Sequence, residues 1–180
     1  MKTLIVYYSR SGNNRFLAEK LAKDVSGDIV ELHPWFNAFA ILALASVTHL
    51  SFGNHKIKAK IEDYDTVIIC GPIWIGQLIS PLRDFSNKFR KHIKKLYFVT
   101  CCGGGEDSKD SKFGYTQVFN QARLIMKDAY AGEEAFPIDL IVPPEIKGKS
   151  EDIMKLKLND DNFKGPIADK YADFLKLIRA

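Results

Sequence analysis

The order of apolar runs and amphipathic segments is the feature that most constrains how this chain can fold. Three short runs are almost continuously apolar, at Thr3 to Tyr8, Thr66 to Cys70 and Leu96 to Cys101. Runs of this length are typical of strands that are covered on both faces. Segments with apolar residues at helical spacing separate them, the first beginning near Asn14. This alternation predicts a parallel sheet with helices packed on both sides.

The alternation continues to the end of the chain, so we predict one three-layer, doubly wound α/β domain over residues 1–180, with five parallel strands. The remaining predicted elements are a second strand at about Asp28 to Leu32, a helix with Ser80 as N-cap and Pro81 at its first position, a helix from Tyr115 to Ala129, a fifth strand near Ala135 to Val142, and a last helix from about Pro166.

Composition excludes several classes of protein. Hydrophobic residues make up 46% of the 180 residues, which is enough for a substantial core. The net charge of +4 comes without an aromatic platform, so we do not expect nucleic-acid binding. The longest apolar stretch, Phe36 to Val47, is too short to span a bilayer, and the first residues do not resemble a signal peptide. We therefore expect a cytoplasmic protein. The three cysteines and four histidines do not have the spacing of metal ligands.

A polar loop after the first strand is the first candidate binding element. Doubly wound sheets bind ligands beyond the carboxyl ends of their strands. Here the loop leads directly into a helix, whose exposed N–H groups suit a phosphate, and a glycine lets the backbone approach the anion. A plain strand-to-helix turn is the alternative. The candidate phosphate ligands are Ser9, Arg10, Ser11, Gly12, Asn13 and Asn14.

Two further loops follow the third and fourth predicted strands. The first places apolar side chains at the sheet edge, which is unfavourable unless something covers them, and its tryptophan suits a flat ring. The second contains three successive glycines. A tryptophan that fills the core and a flexible glycine connector are the alternatives. The loop after the third strand, which we call the second loop, contributes Pro72, Ile73, Trp74, Ile75 and Gly76. The loop after the fourth strand, which we call the third loop, contributes Cys102, Gly103 and Gly104.

Together these loops resemble those of the flavodoxin-like family, in particular its NAD(P)H oxidoreductases. The Ser-x-Ser-Gly-Asn sequence that begins at Ser9 resembles the family's FMN phosphate loop. The Gly-Pro-Ile-Trp-x-Gly sequence that begins at Gly71 resembles its first isoalloxazine loop, and the segment that begins at Cys101 occupies the place of the second. The resemblance implies the strand order 2-1-3-4-5 and FMN as the cofactor, held by the three sets of residues named above.

The resemblance also implies a function. We expect an FMN-binding oxidoreductase that passes electrons from NAD(P)H to a quinone or similar small acceptor. The flavin supplies the redox chemistry, so no residue is assigned as catalytic. Two alternatives remain: an electron carrier that serves a redox partner protein, and a module of this fold that has lost FMN binding. The mild charge of +4 differs from the strongly acidic carriers.

Three features depart from the family pattern. Asn14 stands where the family usually has threonine. Arg10 adds a charge that either holds the phosphate or points to solvent. The third loop lacks the aromatic residue that carriers stack on the flavin, and Tyr115 is the nearest candidate.

The segment from Phe36 to Leu50 is apolar nearly all round, although a helix on a sheet needs only one apolar stripe. We expect a homodimer with this segment at or near the interface. The alternatives are a helix tucked under the loop Ser51–Lys60, a lid over the flavin edge, and contact with a membrane.

Overall fold

Five parallel strands form the central sheet of the computed structural model, which describes residues 1–143, 145, 153 and 155–180. When only the five strands of this sheet are numbered along the chain, their order across the sheet is 2-1-3-4-5, as predicted. A short antiparallel hairpin, β4 and β5, lies outside this sheet. The strands are β1 (Thr3–Tyr7), β2 (Asp28–Glu31), β3 (Thr66–Cys70), β4 (Ile73–Trp74), β5 (Gln77–Leu78), β6 (Leu96–Cys102) and β7 (Tyr130–Pro137).

Helices cover both faces of the sheet and complete the predicted three layers. Leu42, Leu82 and Phe119, from three different helices, share one buried cluster with the sheet. Leu17 and Phe174 belong to a second cluster on the opposite face. The helices are α1 (Asn13–Asp24), α2 (Phe39–Thr48), α3 (Ser80–Phe89), α4 (Tyr115–Met126) and α5 (Pro166–Arg179). Helices α2, α3 and α4 thus lie on one face, and α1 and α5 on the other.

Alternate residues of β1 explain why the strand is continuously apolar. Leu4 and Val6 face the cluster below α2, α3 and α4, while Ile5 and Tyr7 face the cluster below α1 and α5. Successive side chains of a strand point to opposite faces. Both faces of β1 are therefore buried against apolar clusters.

The predicted fifth strand was placed too far along the chain. The strand is Tyr130–Pro137, and the segment Ile138–Ile141 forms a 3-10 turn instead of continuing it. Strand β7 is the sheet edge, so its first half is only partly buried and tolerates polar residues. Glu133 pairs there with Arg123, and this polar half gave no apolar signal in the sequence.

Two helix ends also differ from the prediction. Helix α3 includes Ser80, with Ile79 as the N-cap, so the prediction of Ser80 as N-cap was wrong by one residue. The Ser80 hydroxyl instead donates to Asp84 Oδ2 at 3.3 Å. Helix α4 ends at Met126, and residues Lys127–Ala129 form a 3-10 turn in which Lys127 has a φ of 49°.

Helix α2 occupies the segment with the excess of apolar residues. It packs inward through Leu42, Ala45 and Ser46, while Ile41 and Leu44 remain exposed. The alternative of a helix tucked under its own chain is therefore wrong, because the outer face is uncovered. Among the described residues, no helix has the length and apolar character needed to cross a bilayer. The homodimer remains a prediction.

Candidate cofactor site

The three predicted loops meet at one edge of the sheet. The ring of Tyr8, just after β1, packs edge-on against Trp74, with centroids 6.0 Å apart. A Cβ added to Gly76 would collide with the carbonyl oxygen of Lys112, so the second loop lies directly against the third. Asn14 forms hydrogen bonds with the backbone of Cys101. These contacts connect each loop to the other two.

The first loop ends in an uncapped helix N-terminus. Gly12 precedes α1 with a φ of 98°, and within the described residues no side chain caps the helix. The N–H groups of Asn13, Asn14 and Arg15 have no acceptor inside the helix, because its first turn lacks preceding carbonyls. A Cβ on Gly12 would meet none of the described atoms within 4 Å. The helix therefore presents unpaired donors and a positive dipole end to open space.

The side chains of Ser9, Asn13 and Asn14 form hydrogen bonds within the protein, while Ser11 is exposed. Ser9 Oγ accepts a hydrogen bond from the Gly12 N–H at 3.2 Å. The Asn13 amide donates to Leu156 O and accepts from the Leu158 N–H. Asn14 is buried, and its amide is bound to Cys101. For a phosphate, both asparagines thus offer their backbone N–H groups and not their side chains.

Arg10 leans toward α2. Its guanidinium carbon lies 5.2 Å from the centroid of the Phe39 ring, a cation–π arrangement. Its charge also opposes the rise in the pKa of Tyr8 that burial causes. Arg10 is exposed, as the second of its two expected positions requires, and its charge lies beside Phe39, which packs on Trp74 of the second loop.

The second loop is a hairpin that presents Trp74. Its two-residue turn has positive φ at both positions, 55° at Ile75 and 65° at Gly76, as in a type I′ turn. A β-branched residue at positive φ is an outlier, and such strain clusters at functional sites. Trp74 is half-buried and packs edge-on against Phe39, with centroids 5.0 Å apart. It lies at the margin of the core and does not fill its interior.

The third loop closes over a small cavity. Gly103 and Gly104 are exposed, while Cys102 is partly buried. The cavity has a volume of about 70 Å³, and its lining includes Ile73, Cys102, Phe113 and Tyr115. Cofactor pockets usually exceed about 300 Å³. A tricyclic ring therefore requires this loop to move outward from its position here.

Thiol chemistry is disfavoured at this edge. Burial raises the pKa of Cys70 and of Cys101. Burial, with the negative charges of Asp139 and Glu106, raises the pKa of Cys102 to about 12. Because the thiolate is the nucleophile, thiols that stay protonated at neutral pH are unreactive. Cys70 and Cys101 are buried, and Cys102 is only half-buried.

Glu106 carries negative charge within the third loop, and the carboxylate of Asp139 lies against Gly105 of the same loop. Partial burial opposes its ionised form, but hydrogen bonds from Tyr115 and Lys109 and the charges of Lys109 and Lys170 outweigh this effect and lower the pKa of Glu106. Lys109 Nζ lies 3.2 Å from the carboxylate and Lys170 Nζ 3.7 Å from it. Tyr115, the expected stacking candidate, is buried and bound to Glu106.

Sequence reasoning missed two aromatic residues of the site. Phe113 is 59% exposed beside the third loop, and Phe39 packs on Trp74. Phe113 lies in a stretch of the sequence that is otherwise mostly polar, and an aromatic residue in such a stretch is a signal that could have identified it. Among the described residues, no group of three or more histidine, cysteine or acidic side chains is placed to hold a metal ion.

Solved structures with the same fold are flavoproteins. A flavoprotein from Lactobacillus acidophilus in complex with FMN superposes with a TM-score of 0.62 at 18% identity, over 74% of this chain and 92% of its own. The NMR structure of the apo-form of the flavoprotein from the same organism gives 0.60 at 16% identity, over 82% and 95%. A Bacteroides uniformis protein assigned as a flavoprotein gives 0.58 at 17% identity, over 86% and 98%.

These likenesses, with the strand order, define the class: the chain is an α/β protein with a doubly wound parallel sheet. More particularly, it has the flavodoxin-like fold, which confirms the fold that the three loops implied. No family model matches the sequence, and a search of curated proteins found no match either.

Proposed function

We propose that this chain binds one FMN at the loop edge of its sheet and uses it for redox chemistry. The observation that carries the proposal is the uncapped N-terminus of α1, which faces open space at Gly12 beside the Trp74 hairpin. The N–H groups of this helix end would hold the FMN phosphate, because helix N-termini commonly bind anions. The related flavoprotein of Lactobacillus acidophilus, solved with FMN, supports the same assignment.

The residues of the edge fit the two ends of FMN. The first turn of α1 contains no acidic residue, so its dipole is free to stabilise a phosphate. The Trp74 hairpin and the loop that begins at Cys102 would hold the flavin ring between them, where Ile73, Phe113 and the protonated thiol of Cys102 line the cavity. When bound, FMN supplies hydride and single-electron transfer, and the protein binds and orients it.

The third loop would have to open to admit the flavin ring. Its cavity of about 70 Å³ is too small for a tricyclic ring, and Phe113 forms part of its wall. Three successive glycines, Gly103 to Gly105, give the backbone the freedom to rearrange.

The acceptor we favour is a small apolar molecule such as a quinone, with NAD(P)H as the electron donor. Ile75 and Phe113 are both more than half exposed at the mouth of the site and give an apolar approach to a ring bound there. No protein acid or base is needed for such transfers, so we assign no catalytic residue. The net charge of +4 is also unlike that of an acidic electron carrier.

Turnover of the reconstituted protein tests this activity. Protein loaded with FMN is mixed with NADH or NADPH and a water-soluble quinone, and oxidation of the nicotinamide is followed by absorbance. We expect quinone-dependent oxidation of at least one nucleotide. A protein that takes up FMN but oxidises neither nucleotide is a carrier, and one that takes up no FMN contradicts the whole proposal.

A further inference from the structure

An exposed apolar surface borders the candidate cofactor site. Four residues of α2 point outward, and Leu44 is 61% exposed. Two exposed aromatic residues, Trp35 at 60% and Phe36 at 53% exposure, immediately precede the helix. Isolated apolar residues on a surface are ordinary, but a contiguous group of this kind marks a contact site. We call this group the α2 face: Trp35, Phe36, Phe39, Ile41, Leu44 and Val47.

The inner side of α2 is fixed, so the outward orientation of this face is a stable feature. The guanidinium of Arg83, itself buried, donates to the carbonyls of Ala45 and Ser46 at 3.1 Å each and to that of Leu50. A cation at this position satisfies the terminal carbonyls and the helix dipole. Ser46 Oγ accepts from the Ser80 N–H at 2.9 Å. Rotating α2 to bury its outer residues would break all of these bonds.

The α2 face offers almost no polar groups to a partner. The helix has two hydroxyl residues, and both bond to its own backbone: Ser46 donates to Leu42 O at 2.6 Å, and Thr48 donates to Leu44 O at 2.7 Å. Protein interfaces carry about one hydrogen bond per 100–200 Å². Lipid chains require none, so this surface suits a bilayer better than a protein.

The segment of the chain that carries the α2 face is basic. Residues 32–60 contain three lysines and no Asp or Glu. Lys56 follows His55, whose ring stacks on Trp35 with centroids 3.8 Å apart, and Lys88 lines a cleft of about 330 Å³ with the same two residues. Asp84 lines the same cleft, but it is buried and accepts a hydrogen bond from the Gly53 N–H.

We infer that the α2 face docks on an anionic lipid surface. Its aliphatic and aromatic residues enter the interface between headgroups and acyl chains, where tryptophan is favoured, and the lysines attract acidic headgroups. A second copy of the chain is a poorer partner, because a two-fold contact through this face would bring the same cations together. The inference does not require FMN.

Docking would also place the candidate cofactor site at the membrane. Phe39 belongs to the α2 face and packs on Trp74 of the second loop. If the proposed function holds, an acceptor dissolved in the lipid would reach a bound flavin without entering water.

Flotation with vesicles tests the inference. Protein with and without FMN is mixed with vesicles of phosphatidylcholine alone or of phosphatidylcholine with phosphatidylglycerol. We expect binding to the anionic vesicles, weakened by salt and by replacing Lys56, Lys58 and Lys60 with Gln. Changing Ile41 and Leu44 to Glu should lower binding by more than about tenfold, because charged groups do not enter the apolar layer.

A matched control is provided by Leu124 of α4, which is 76% exposed and lies outside the α2 face. Leu124→Glu should bind vesicles like the wild type, and circular dichroism should show that all variants fold. Absence of wild-type binding overturns the inference, as does an equal loss in Leu124→Glu. A third result would also overturn it: the wild type is a dimer that does not bind vesicles, and the Ile41→Glu/Leu44→Glu variant is a monomer. The α2 face would then join two copies of the chain. Loss of FMN uptake without loss of docking would contradict only the proposed function.

Discussion

The side-chain amide of Asn14 pairs with both backbone polar groups of Cys101. Asn14 Nδ2 donates to Cys101 O at 3.0 Å, and Cys101 N–H donates to Asn14 Oδ1 at 2.8 Å. Strand β3 ends at Cys70, opposite Val99, so Cys101 lies beyond the end of that ladder. The asparagine amide takes the place of the missing peptide and joins the start of α1 to the end of β6. One residue thus holds the first and third loops in register.

Removing this amide should destabilise the protein. Asn14→Ala leaves the Cys101 N–H and C=O buried without partners, which costs about 2–4 kcal/mol of the free energy of unfolding. Urea denaturation measures the loss. Asn120, an exposed asparagine on α4, is the control, and Asn120→Ala should stay within about 0.5 kcal/mol of the wild type. Equal small effects at both positions would show that the Asn14 pairing contributes little.

Gly12→Ala should weaken FMN binding while the fold remains intact. Gly12 has a φ of 98°, which an alanine adopts only at a cost of about 1–2 kcal/mol. An added Cβ would meet no described atom within 4 Å, so we attribute the expected loss of affinity to backbone strain and not to a steric clash. We expect FMN affinity to fall roughly tenfold as the loop relaxes. Gly165→Ala is the control, because that glycine also has a positive φ in open space but lies outside the three loops, so FMN affinity should stay at the wild-type value. Wild-type affinity in Gly12→Ala would contradict the phosphate assignment.

Ile75→Asn should stabilise the protein. Ile75 has a φ of 55° in the two-residue turn between β4 and β5, and asparagine followed by glycine is the preferred pair for that turn. Relief of strain should raise the free energy of unfolding by about 1 kcal/mol in urea denaturation. Ile29 is exposed in β2, and Ile29→Asn should give no gain. A destabilised Ile75→Asn would mean that the isoleucine packs usefully despite its backbone.

Neutralising Glu106 should raise the midpoint potential of a bound flavin. A nearby negative charge disfavours the addition of electrons, and the lowered pKa keeps Glu106 ionised at neutral pH. Redox titration of Glu106→Gln should show a positive shift that shrinks with added salt. Glu19→Gln, an exposed change on α1, should leave the potential unchanged. If Glu106→Gln shows no shift at low salt, the carboxylate is remote from the flavin.

Much of the fold could be predicted because buried strands have continuously apolar sequences. Strand β3 lies exactly where its run predicts, and β1 differs by one residue at its end. The edge strand β7 was displaced because half of it is exposed and its glutamates pair with Arg123 and Lys170. The apolar run that followed it formed a 3-10 turn.

The loops of the candidate site were predictable as a group, but the role of single side chains was not. Asn14 was expected to offer its amide to a phosphate, and the amide instead completes the sheet beside Cys101. The backbone of Cys101 needs this partner because β3 ends at Cys70, opposite Val99. The sequence does not show where two neighbouring strands end relative to each other. The contact of Arg10 with Phe39 likewise depends on the path of the chain before α2.

The comparison of FMN with riboflavin tests the central claim most directly. The two ligands share the flavin ring and differ in the phosphate, which we place on the uncapped N-terminus of α1. Titrating the apo-protein while following flavin fluorescence gives both affinities. We predict tight binding of FMN and binding of riboflavin weaker by about a hundredfold or more, as expected for the loss of charge-assisted hydrogen bonds. Equal affinity for the two ligands, or no binding of either, would contradict the claim.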